Sequence, residues 1–413
     1  MRRAAGSSSI PEEAVSTRRR DLRRLTSRSY NSRRKRLLAL GVQAVVAALV
    51  LAGVPSRAEA ARPGPAVKVF PRPMEAAIPG RAGGALPRSG GGGVGSTRVY
   101  VANWGASNVS VIDARSNNLV ATIPHDNPEG IAATKKLGGR VYAAGKNGVG
   151  TEDYVDGLTV IDPRDNRTVD GVPLLPGQDA GAVKVAVTDR MSRPRAYVTG
   201  ASANIVSAID LTTNEVVATI PVGAFPEGVA IADSLPRPRV YVANTDDNTV
   251  SAIDVATDKV VATIPAGAGP LGVAVLDRPV HPRVYVTNLF DNTVSVIDAT
   301  SNKVVATITL PAEDIGPSFL AIDDNPRAPR AYIPEQLSNN VTVLDLRTNT
   351  VIAEIPVGDA PNTVALDDDH RQPRAYTSNF WSGDVSVIDL KRGAVVATVP
   401  VGGNPLGVAV LKK

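Results

Sequence analysis

Short runs of Val, Ile, Thr and Tyr alternate with polar turns along most of this chain, and the segment from Arg283 to Ile308 carries the pattern most completely. It reads RVYVTNLFDNTVSVIDATSNKVVATI, which is three apolar runs of strand length separated by two turns rich in Asn, Asp and Ser. Val, Ile, Thr and Tyr favour β-strands, whereas Asn and Asp favour tight turns. The pattern therefore predicts three short strands joined by hairpin turns.

The same pattern occurs seven times. The copies begin at Arg98, Arg140, Arg195, Arg239, Arg283, Arg330 and Arg374, so they repeat every 42–55 residues. Each copy ends with a fourth apolar run that opens after a Gly/Pro turn, such as LGVAVLD. Four short strands per repeat predict the blade of a β-propeller. A solenoid is the structural alternative, but its repeats are usually shorter and it needs polar caps, which we do not see in this sequence.

The order of the strands predicts how the ring closes. The first copy starts at Arg98 with no strand of the fourth type before it, and the chain ends on an extra one, Leu406 to Leu411. We expect this last strand to be the innermost strand of the first blade, because that arrangement leaves no sheet edge unpaired. The predicted fold is all-β: residues 98–413 form a seven-bladed β-propeller of four-stranded blades, closed by the C-terminal strand.

Two residue types recur at fixed positions and are predicted to be structural. Seven of the nine tyrosines occupy one strand position, among them Tyr100, Tyr241 and Tyr285. A position shared by all copies indicates packing between blades rather than a ring of stacking platforms. Asp254, Asp298 and Asp389 each end the second run of their copy and precede a polar turn. Aspartate in this place is expected to bind backbone N–H groups of the turn.

The residues Tyr285-Val286-Thr287-Asn288, with the NTVSVID and VVATI runs that follow, resemble the YVTN repeat family of seven-bladed propellers. The resemblance covers about residues 98–413. It implies the propeller fold and a surface-layer, secreted or periplasmic setting. Copy two departs through an insertion around residues 145–157, and copy six through Ile333-Pro334-Glu335. The resemblance carries no set of catalytic residues, so it implies no activity.

The first 97 residues have a different composition. Residues 1–60 combine a long basic region, an apolar run from Leu37 to Val54 and a small-residue site, Ala58-Glu59-Ala60. This order predicts an export signal cleaved near Ala60, by either the secretory or the twin-arginine route. An uncleaved membrane anchor remains the alternative. Residues 61–97 are rich in Pro, Gly and Ala and predict a flexible linker. We therefore expect an exported protein whose mature form has no stable membrane span.

Charge and cysteine content exclude several functions. Residues 1–60 carry 13 Lys/Arg against 4 Asp/Glu, whereas residues 61–413 carry 32 against 36. The basic isoelectric point of about 9.4 therefore belongs to the leader and gives no support for nucleic-acid binding by the propeller. The chain has no cysteine, which rules out disulfides, thiolate metal sites and a cysteine nucleophile.

One face of the predicted ring concentrates aromatic and acidic residues. In a propeller, the loops that join the second strand of a blade to the third, and one blade to the next, share a face. These loops carry both tryptophans and four of the five phenylalanines, together with many carboxylates, and we assign Glu129, Glu227 and Phe319 to them. The candidate ligand-binding residues are Trp104, Phe225, Asp246, Asp247, Phe290, Asp291, Phe380 and Trp381. Large aromatics on loops favour recognition of a cell-surface or extracellular protein, peptide or glycan. The alternative is that they cover their own loops.

Signals for catalysis are weak. By the loop rule, His125 falls on the acidic face and His281 and His370 on the opposite one, and the chain has no HxxxH, GxSxG or Walker motif. We predict no catalytic residue, metal or cofactor, and a non-catalytic binding scaffold is the leading interpretation. One alternative is a lactonase-like hydrolase or lyase that uses carboxylates at the channel mouth. The other is nucleic-acid binding through the arginine-rich opposite face.

Overall fold

The computed structural model of this chain describes residues 97–134, 138–147, 155–175, 180–188, 194–311, 316–367 and 371–412. The predicted export signal and all but the last residue of the predicted linker lie outside these ranges. Within them, the regular elements are 28 β-strands. The described residues include no helix long and apolar enough to cross a membrane.

The strands of the described residues form seven antiparallel four-stranded sheets, which we number as blades and give from the innermost strand outwards. Blade 1 contains β28 (Pro405–Leu411), β1 (Arg98–Asn103), β2 (Asn108–Asp113) and β3 (Asn118–Pro124). Blade 2 contains β4 (Asp126–Thr134), β5 (Arg140–Asn147), β6 (Val155–Asp162) and β7 (Arg167–Pro173). Blade 3 contains β8 (Ala182–Val187), β9 (Arg195–Gly200), β10 (Ile205–Asp210) and β11 (Glu215–Pro221).

The remaining four blades follow the same order. Blade 4 contains β12 (Pro226–Ala232), β13 (Arg239–Asn244), β14 (Thr249–Asp254) and β15 (Lys259–Pro265). Blade 5 contains β16 (Pro270–Leu276), β17 (Arg283–Asn288), β18 (Thr293–Asp298) and β19 (Lys303–Thr309). Blade 6 contains β20 (Ala321–Asp323), β21 (Arg330–Glu335), β22 (Asn340–Asp345) and β23 (Thr350–Pro356). Blade 7 contains β24 (Pro361–Asp367), β25 (Arg374–Asn379), β26 (Asp384–Asp389) and β27 (Ala394–Pro400).

Ring closure by the C-terminal strand is confirmed. Strand β28 pairs antiparallel with β1, and the register joins Arg98 to Leu411 and Val101 to Val408. The seven inner strands contact one another in sequence around the ring, including β28 with β4 and β24 with β28. The inner strands therefore line a central channel, and every blade packs between two neighbours.

The packing of blades explains the hydrophobic pattern. The two middle strands of a blade are buried on both faces, as in β17 and β18, so their residues are small or apolar without a polar side. The outermost strand, for example β19, is largely exposed and mixes polar with apolar residues. Each run in the sequence therefore reflects its distance from the centre of the ring.

The recurrent tyrosines lie in the interfaces between blades. Tyr100, Tyr241 and Tyr285 are fully buried in three such interfaces. The Tyr241 hydroxyl donates to the carbonyl of Ala299 at 3.0 Å and lies 2.9 Å from Asn302 Oδ1, both in the next blade. Burial raises the pKa of Tyr285 to about 12, because the buried environment disfavours the charged phenolate. These side chains join one blade to the next.

The recurrent aspartates bind the turns that follow them. Asp298 Oδ1 accepts from the backbone amides of Thr300 and Ser301, at 3.0 and 2.8 Å. Asp254 and Asp389 accept the corresponding turn amides in their own blades. The backbone N–H of Arg392 lowers the pKa of Asp389, because it stabilises the charged carboxylate.

The two irregular copies keep the blade architecture. In copy two, β5 and β6 are both eight residues long, and much of the insertion lies outside the described residues. In copy six, Pro334 stays in strand β21 and pairs with Val341, although proline has no amide hydrogen to donate. The inner strand of that blade, β20, is only three residues long. Proline is thus tolerated where the ladder on one side is short.

Candidate functional site

The seven copies differ at one position near the start of the inner-strand segment, two residues after a proline or, in blade 3, two residues after Ala182. In four blades this position is glycine: Gly130, Gly228, Gly272 and Gly407. A Cβ atom on Gly272 would lie only 2.5 Å from the carbonyl oxygen of Ser318 on the next inner strand. Glycine therefore permits close approach of neighbouring inner strands. The other three blades carry Lys184, Phe319 and Thr363 at the equivalent position.

Two of these side chains meet in the channel. Lys184 belongs to blade 3, whereas Phe319 lies two residues before the inner strand of blade 6. Blades 3 and 6 lie three places apart in a ring of seven, so their inner strands are on opposite sides of the channel. The Lys184 Nζ atom is nevertheless 3.8 Å from the centroid of the Phe319 ring. This is the geometry of a cation–π contact, and it spans the channel.

Two glutamates complete the group, which we call the channel cluster: Glu129, Lys184, Glu227 and Phe319. Glu129 and Glu227 directly precede the glycines of blades 2 and 4, so they flank the lysine of blade 3. Glu227 is 3% exposed and Phe319 is 6% exposed. Glu129 and Lys184 are half-buried. The cluster therefore places three ionisable groups in a partly desolvated space near the acidic loop face.

Burial and mutual attraction set the protonation of the cluster. Burial raises the pKa of Glu227 to about 8 and that of Glu129 to about 7, while the charge of Lys184 opposes both shifts. Burial lowers the pKa of Lys184 to about 8, against the attraction of the two carboxylates. All three groups therefore change protonation near neutral pH. A carboxyl and an amine of this kind can hold or transfer a proton under physiological conditions.

The assignment of Glu129 and Glu227 to loops was wrong, whereas Phe319 does lie in the connection between β19 and β20 but is buried there. Glu129 lies in β4 and Glu227 in β12, while Phe319 forms an isolated bridge with Thr363 of the neighbouring blade. Lys184 was not among the predicted site residues at all. Aligning the seven fourth strands would have marked it, because lysine stands there where four copies have glycine.

A polar wall adjoins the cluster on the side of blades 6 and 7. The side-chain amide of Gln336 donates to Ser318 Oγ at 3.0 Å. Asn362 Nδ2 lies 3.4 Å from the same oxygen, and the Thr363 hydroxyl donates to Asn362 Oδ1 at 3.1 Å. At the position of Ser318 and Asn362, other copies have apolar residues, such as Leu271 and Leu406, or the cluster glutamates Glu129 and Glu227. The residues that line the channel therefore differ in polarity from blade to blade.

On the loop face, the two tryptophans lie at the seam of the ring. Trp104 of blade 1 is 40% exposed and Trp381 of blade 7 is 56% exposed. The Trp104 amide donates to the carbonyl of Asn404 at 3.1 Å, and Asn404 Nδ2 donates to the carbonyl of Phe380 at 3.3 Å. Phe380 itself is buried with Ala360 and Leu406 and meets Trp381 edge-on at 4.8 Å. Phe380 therefore supports an indole rather than presenting its own ring.

The other predicted binding residues lie on blades 4 and 5, on the far side of the ring from the seam. Asp247 Oδ2 accepts the amide of Ala224 at 2.7 Å, and Asp291 Oδ2 accepts the amide of Ala268 at 2.8 Å. Asp246 is half-buried, and its charge raises the pKa of Glu227. Asp247 and Asp291 therefore bind the neighbouring loop that joins their blade to the preceding one, and Asp246 connects the loop face to the channel cluster.

The two phenylalanines of blades 4 and 5 are half-buried. Phe290 lies directly over Gly269, where a Cβ atom would overlap its ring. Phe225 stands where blade 5 has Gly269 and adopts the left-handed region, with φ of 53°. The Phe225 amide donates to Asn204 Oδ1 at 2.9 Å, which helps to hold a conformation that is unfavourable for a bulky residue. Phe290 therefore covers the loop that joins blades 4 and 5.

The histidines do not form a cluster with one another in the described part of the chain. His125 is buried, which lowers its pKa, and its Nδ1 lies 2.9 Å from the carbonyl of Asp126. His281 lies in an exposed turn on the opposite face, and His370 is outside the described residues. In the part of the chain that the structure describes, no three His, Asp or Glu side chains are close enough together to hold a metal ion.

Comparison with known proteins supports the fold. No protein-family profile matches the chain, and no curated protein sequence matches it. Among solved structures, the hydrazine synthase of Kuenenia stuttgartiensis is 19% identical, covering 70% of this chain and 91% of its own, with a TM-score of 0.56. A candidate 6-phosphogluconolactonase from Bacteroides uniformis is 12% identical over 76% of this chain and 99% of its own, with a TM-score of 0.60. A streptogramin B lyase is 12% identical over 76% and 91%, with a TM-score of 0.56. At these identities the similarity extends to the propeller fold and no further.

Proposed function

We propose that this chain is an exported binding scaffold that presents Trp104 and Trp381 on its acidic loop face to a cell-surface or extracellular protein, peptide or glycan. The exposure of both indoles at the seam, on anchored backbones, is the observation that carries the proposal. The export signal and the resemblance to the YVTN repeat family support the extracellular setting and belong to the same proposal.

The two indoles are exposed to water and are held on ordered backbone. Exposing a large apolar side chain to water has an unfavourable free energy. Two exposed indoles on the same face of the propeller therefore indicate a recognition surface. The Trp381 amide donates to the carbonyl of Asp359 at 3.1 Å, and the Trp104 amide is bound as described, so neither loop must be ordered on binding. Preorganisation of this kind improves affinity. Indoles stack on sugar rings and on aromatic or cationic side chains.

The test is binding to glycan and peptide arrays by wild type and by the variant Trp104→Ala/Trp381→Ala. We expect the ligands bound by wild type to lose most of their signal in the variant. The matched control is Val261→Ala/Val305→Ala, which removes two exposed apolar side chains from outer strands and is expected to keep the wild-type profile. Identical profiles for wild type and the tryptophan variant would eliminate the proposal. Duplex DNA belongs on the same panel, because binding that weakens steeply with salt would favour the nucleic-acid alternative.

The channel cluster favours a second candidate function, a hydrolase or lyase that works by proton transfer. With pKa values near neutrality, a protonated Glu227 has the properties of a general acid, and ionised Glu129 or neutral Lys184 those of a base. A panel of lactones and esters would test this. Activity that is abolished in Glu227→Gln but kept in Trp104→Ala/Trp381→Ala would establish the catalytic alternative, and no turnover of any substrate would leave recognition as the function.

A further inference from the structure

An arginine joins neighbouring blades at four of the interfaces. This arginine is the first residue of the second strand of its blade. It donates to two acceptors in the turn that joins the two outer strands of the next blade. One acceptor is a backbone carbonyl, and the other is the side chain of the Asn or Asp that follows this carbonyl by three residues. The four are Arg98 with Pro163 O and Asn166, Arg195 with Val255 O and Asp258, Arg239 with Ala299 O and Asn302, and Arg374 with Ala114 O and Asn117. The molecule thus contains four filled copies of one guanidinium site.

At the corresponding site between blades 2 and 3, no arginine among the described residues binds the two acceptors, although Arg140 lies in the wall of the site. Arg140 instead donates to the carbonyl of Gly139 at 3.0 Å and pairs with Asp162 at 3.2 Å, both in or next to its own blade. The space that a guanidinium would occupy is a cavity of about 240 Å³, and the equivalent acceptor residues, Leu211 and Asn214, line it. Asn214 has φ of 58°, which matches Asn166 and Asn302 at the filled sites.

The wall of this cavity carries a carboxylate. Asp170 lies in its wall, at an outer-strand position paired with Val160. The other six blades have alanine at the equivalent position: Ala121, Ala218, Ala262, Ala306, Ala353 and Ala397. Asp170 Oδ2 accepts from Asn214 Nδ2 at 2.7 Å. That bond orients the Asn214 amide so that its carbonyl oxygen is the end available as an acceptor, as at the filled sites.

The interface between blades 5 and 6 provides a natural comparison. Arg283 also turns to its own blade there, where it bonds Asp298. The tyrosine hydroxyl of Tyr285 lies 3.5 Å from the carbonyl of Leu346 and 3.4 Å from Asn349 Oδ1, and the wall position is Ala306. The acceptors at that interface are thus approached by a tyrosine of the chain itself, and the equivalent wall position is alanine instead of an acidic residue. The carboxylate is specific to blades 2 and 3.

We propose that the cavity between blades 2 and 3 binds the guanidinium group of an arginine in a partner peptide, with Asp170, the Leu211 carbonyl and Asn214 Oδ1 as its acceptors. A guanidinium presents five N–H donors in a planar fork, so it satisfies several acceptors at once, whereas a lysine ammonium acts as a point charge. Repulsion from Arg140 is reduced because Asp162 pairs with it. The site is separate from the tryptophan surface and does not depend on it.

The test uses the peptide acetyl-Gly-Arg-Gly-amide and its lysine counterpart, titrated into the purified chain at low ionic strength by calorimetry. We expect the arginine peptide to bind about tenfold more tightly than the lysine peptide, and Asp170→Ala or Asn214→Ala to weaken it about tenfold. The matched control is Asn302→Ala, which alters a filled site and is expected to leave the peptide affinity unchanged. Methylguanidinium in place of the peptide shows whether the isolated group is sufficient.

Arg140→Met separates ligand binding from closure of the cavity by the chain itself. We expect this variant to bind the arginine peptide as well as or better than wild type, since a competing charge is removed. Binding by Arg140→Met with none by wild type would show that Arg140 occupies the cavity in solution, and would overturn the proposal. Affinity unchanged by Asp170→Ala, or equal for the two peptides, would overturn it as well. Thermal melting of each variant confirms that it is folded.

Discussion

Lys184 of blade 3 and Phe319 of blade 6 meet across the central channel, with the lysine nitrogen 3.8 Å from the ring centroid. Their contact connects inner strands that are not neighbours in the ring. Glu129 and Glu227 flank the lysine from the blades on either side. The centre of the propeller is therefore both a brace and an ionisable site, and its two roles can be tested separately.

The brace is tested by a double-mutant cycle on Lys184→Met and Phe319→Leu. We expect a coupling free energy of about 0.5–2 kcal/mol in unfolding, because a partly desolvated cation–π contact contributes about that much. Urea denaturation of the four proteins at one pH measures it. The control cycle pairs Lys184→Met with Trp381→Ala, residues in different parts of the molecule, and additivity to within about 0.5 kcal/mol is expected there. Additivity in both cycles would contradict a brace.

The ionisable site makes stability depend on pH. The pKa of Glu227 is about 8 in the folded state, above its ordinary value of 4.5, so between these values the folded chain binds more protons than the unfolded chain. Stability from this group is therefore complete below about pH 4.5 and is lost as pH rises towards 8. Glu129 acts in the same direction up to about pH 7.

We expect Glu227→Gln to flatten the decline of unfolding free energy between pH 5 and pH 8, since glutamine cannot ionise. Denaturation curves at several pH values measure this. Glu215→Gln, on an exposed outer strand, serves as the control and should keep the wild-type slope. A wild-type stability that does not fall over this range would show that Glu227 ionises normally.

The closing strand is tested by truncation. Removal of residues 404–413 deletes β28, exposes the edge of β1 and leaves blade 1 with three strands. Because every blade packs on its neighbours, we expect the melting temperature of the whole domain to fall sharply or the chain to be insoluble. Removal of Lys412 and Lys413 alone, beyond the paired residues, is the control and should leave melting unchanged. An unaltered melt of the longer truncation would refute closure by this strand.

The close approach of inner strands is tested at Gly272. A Cβ atom there would lie 2.5 Å from Ser318 O and 2.9 Å from Phe319 Cα, so backbone must move to admit alanine. We expect Gly272→Ala to lower the free energy of unfolding by about 1–3 kcal/mol. Gly403→Ala is the matched control, because its nearest new contact would be an ordinary 3.6 Å. Equal stability of the two variants would mean that the inner strands are not tightly packed.

The fold followed from local pattern to an unusual degree. A run such as RVYVTN predicts a strand that is buried on both faces. The chain has seven copies and ends on an additional strand of the fourth type, which can pair with the first copy and close the ring. These features are periodic and local, because strand propensity and turn chemistry act over a few residues. The seam at Leu406 to Leu411 could therefore be predicted without knowing any long-range contact.

The candidate sites depended on side chains from different blades coming together in space, which cannot be read from the local sequence pattern. Lys184 and Phe319 are 135 residues apart in sequence, and only the curvature of the ring brings their side chains together. Phe380 and Trp381 are adjacent in sequence, yet one packs inward and the other faces solvent. The position of each strand in its blade, the number of blades and the closure of the ring could be predicted from the amino-acid pattern, because each follows from residues that are close together in sequence. The channel cluster and the cavity between blades 2 and 3 were decided by tertiary structure, because burial and charge pairing depend on residues that are far apart in sequence.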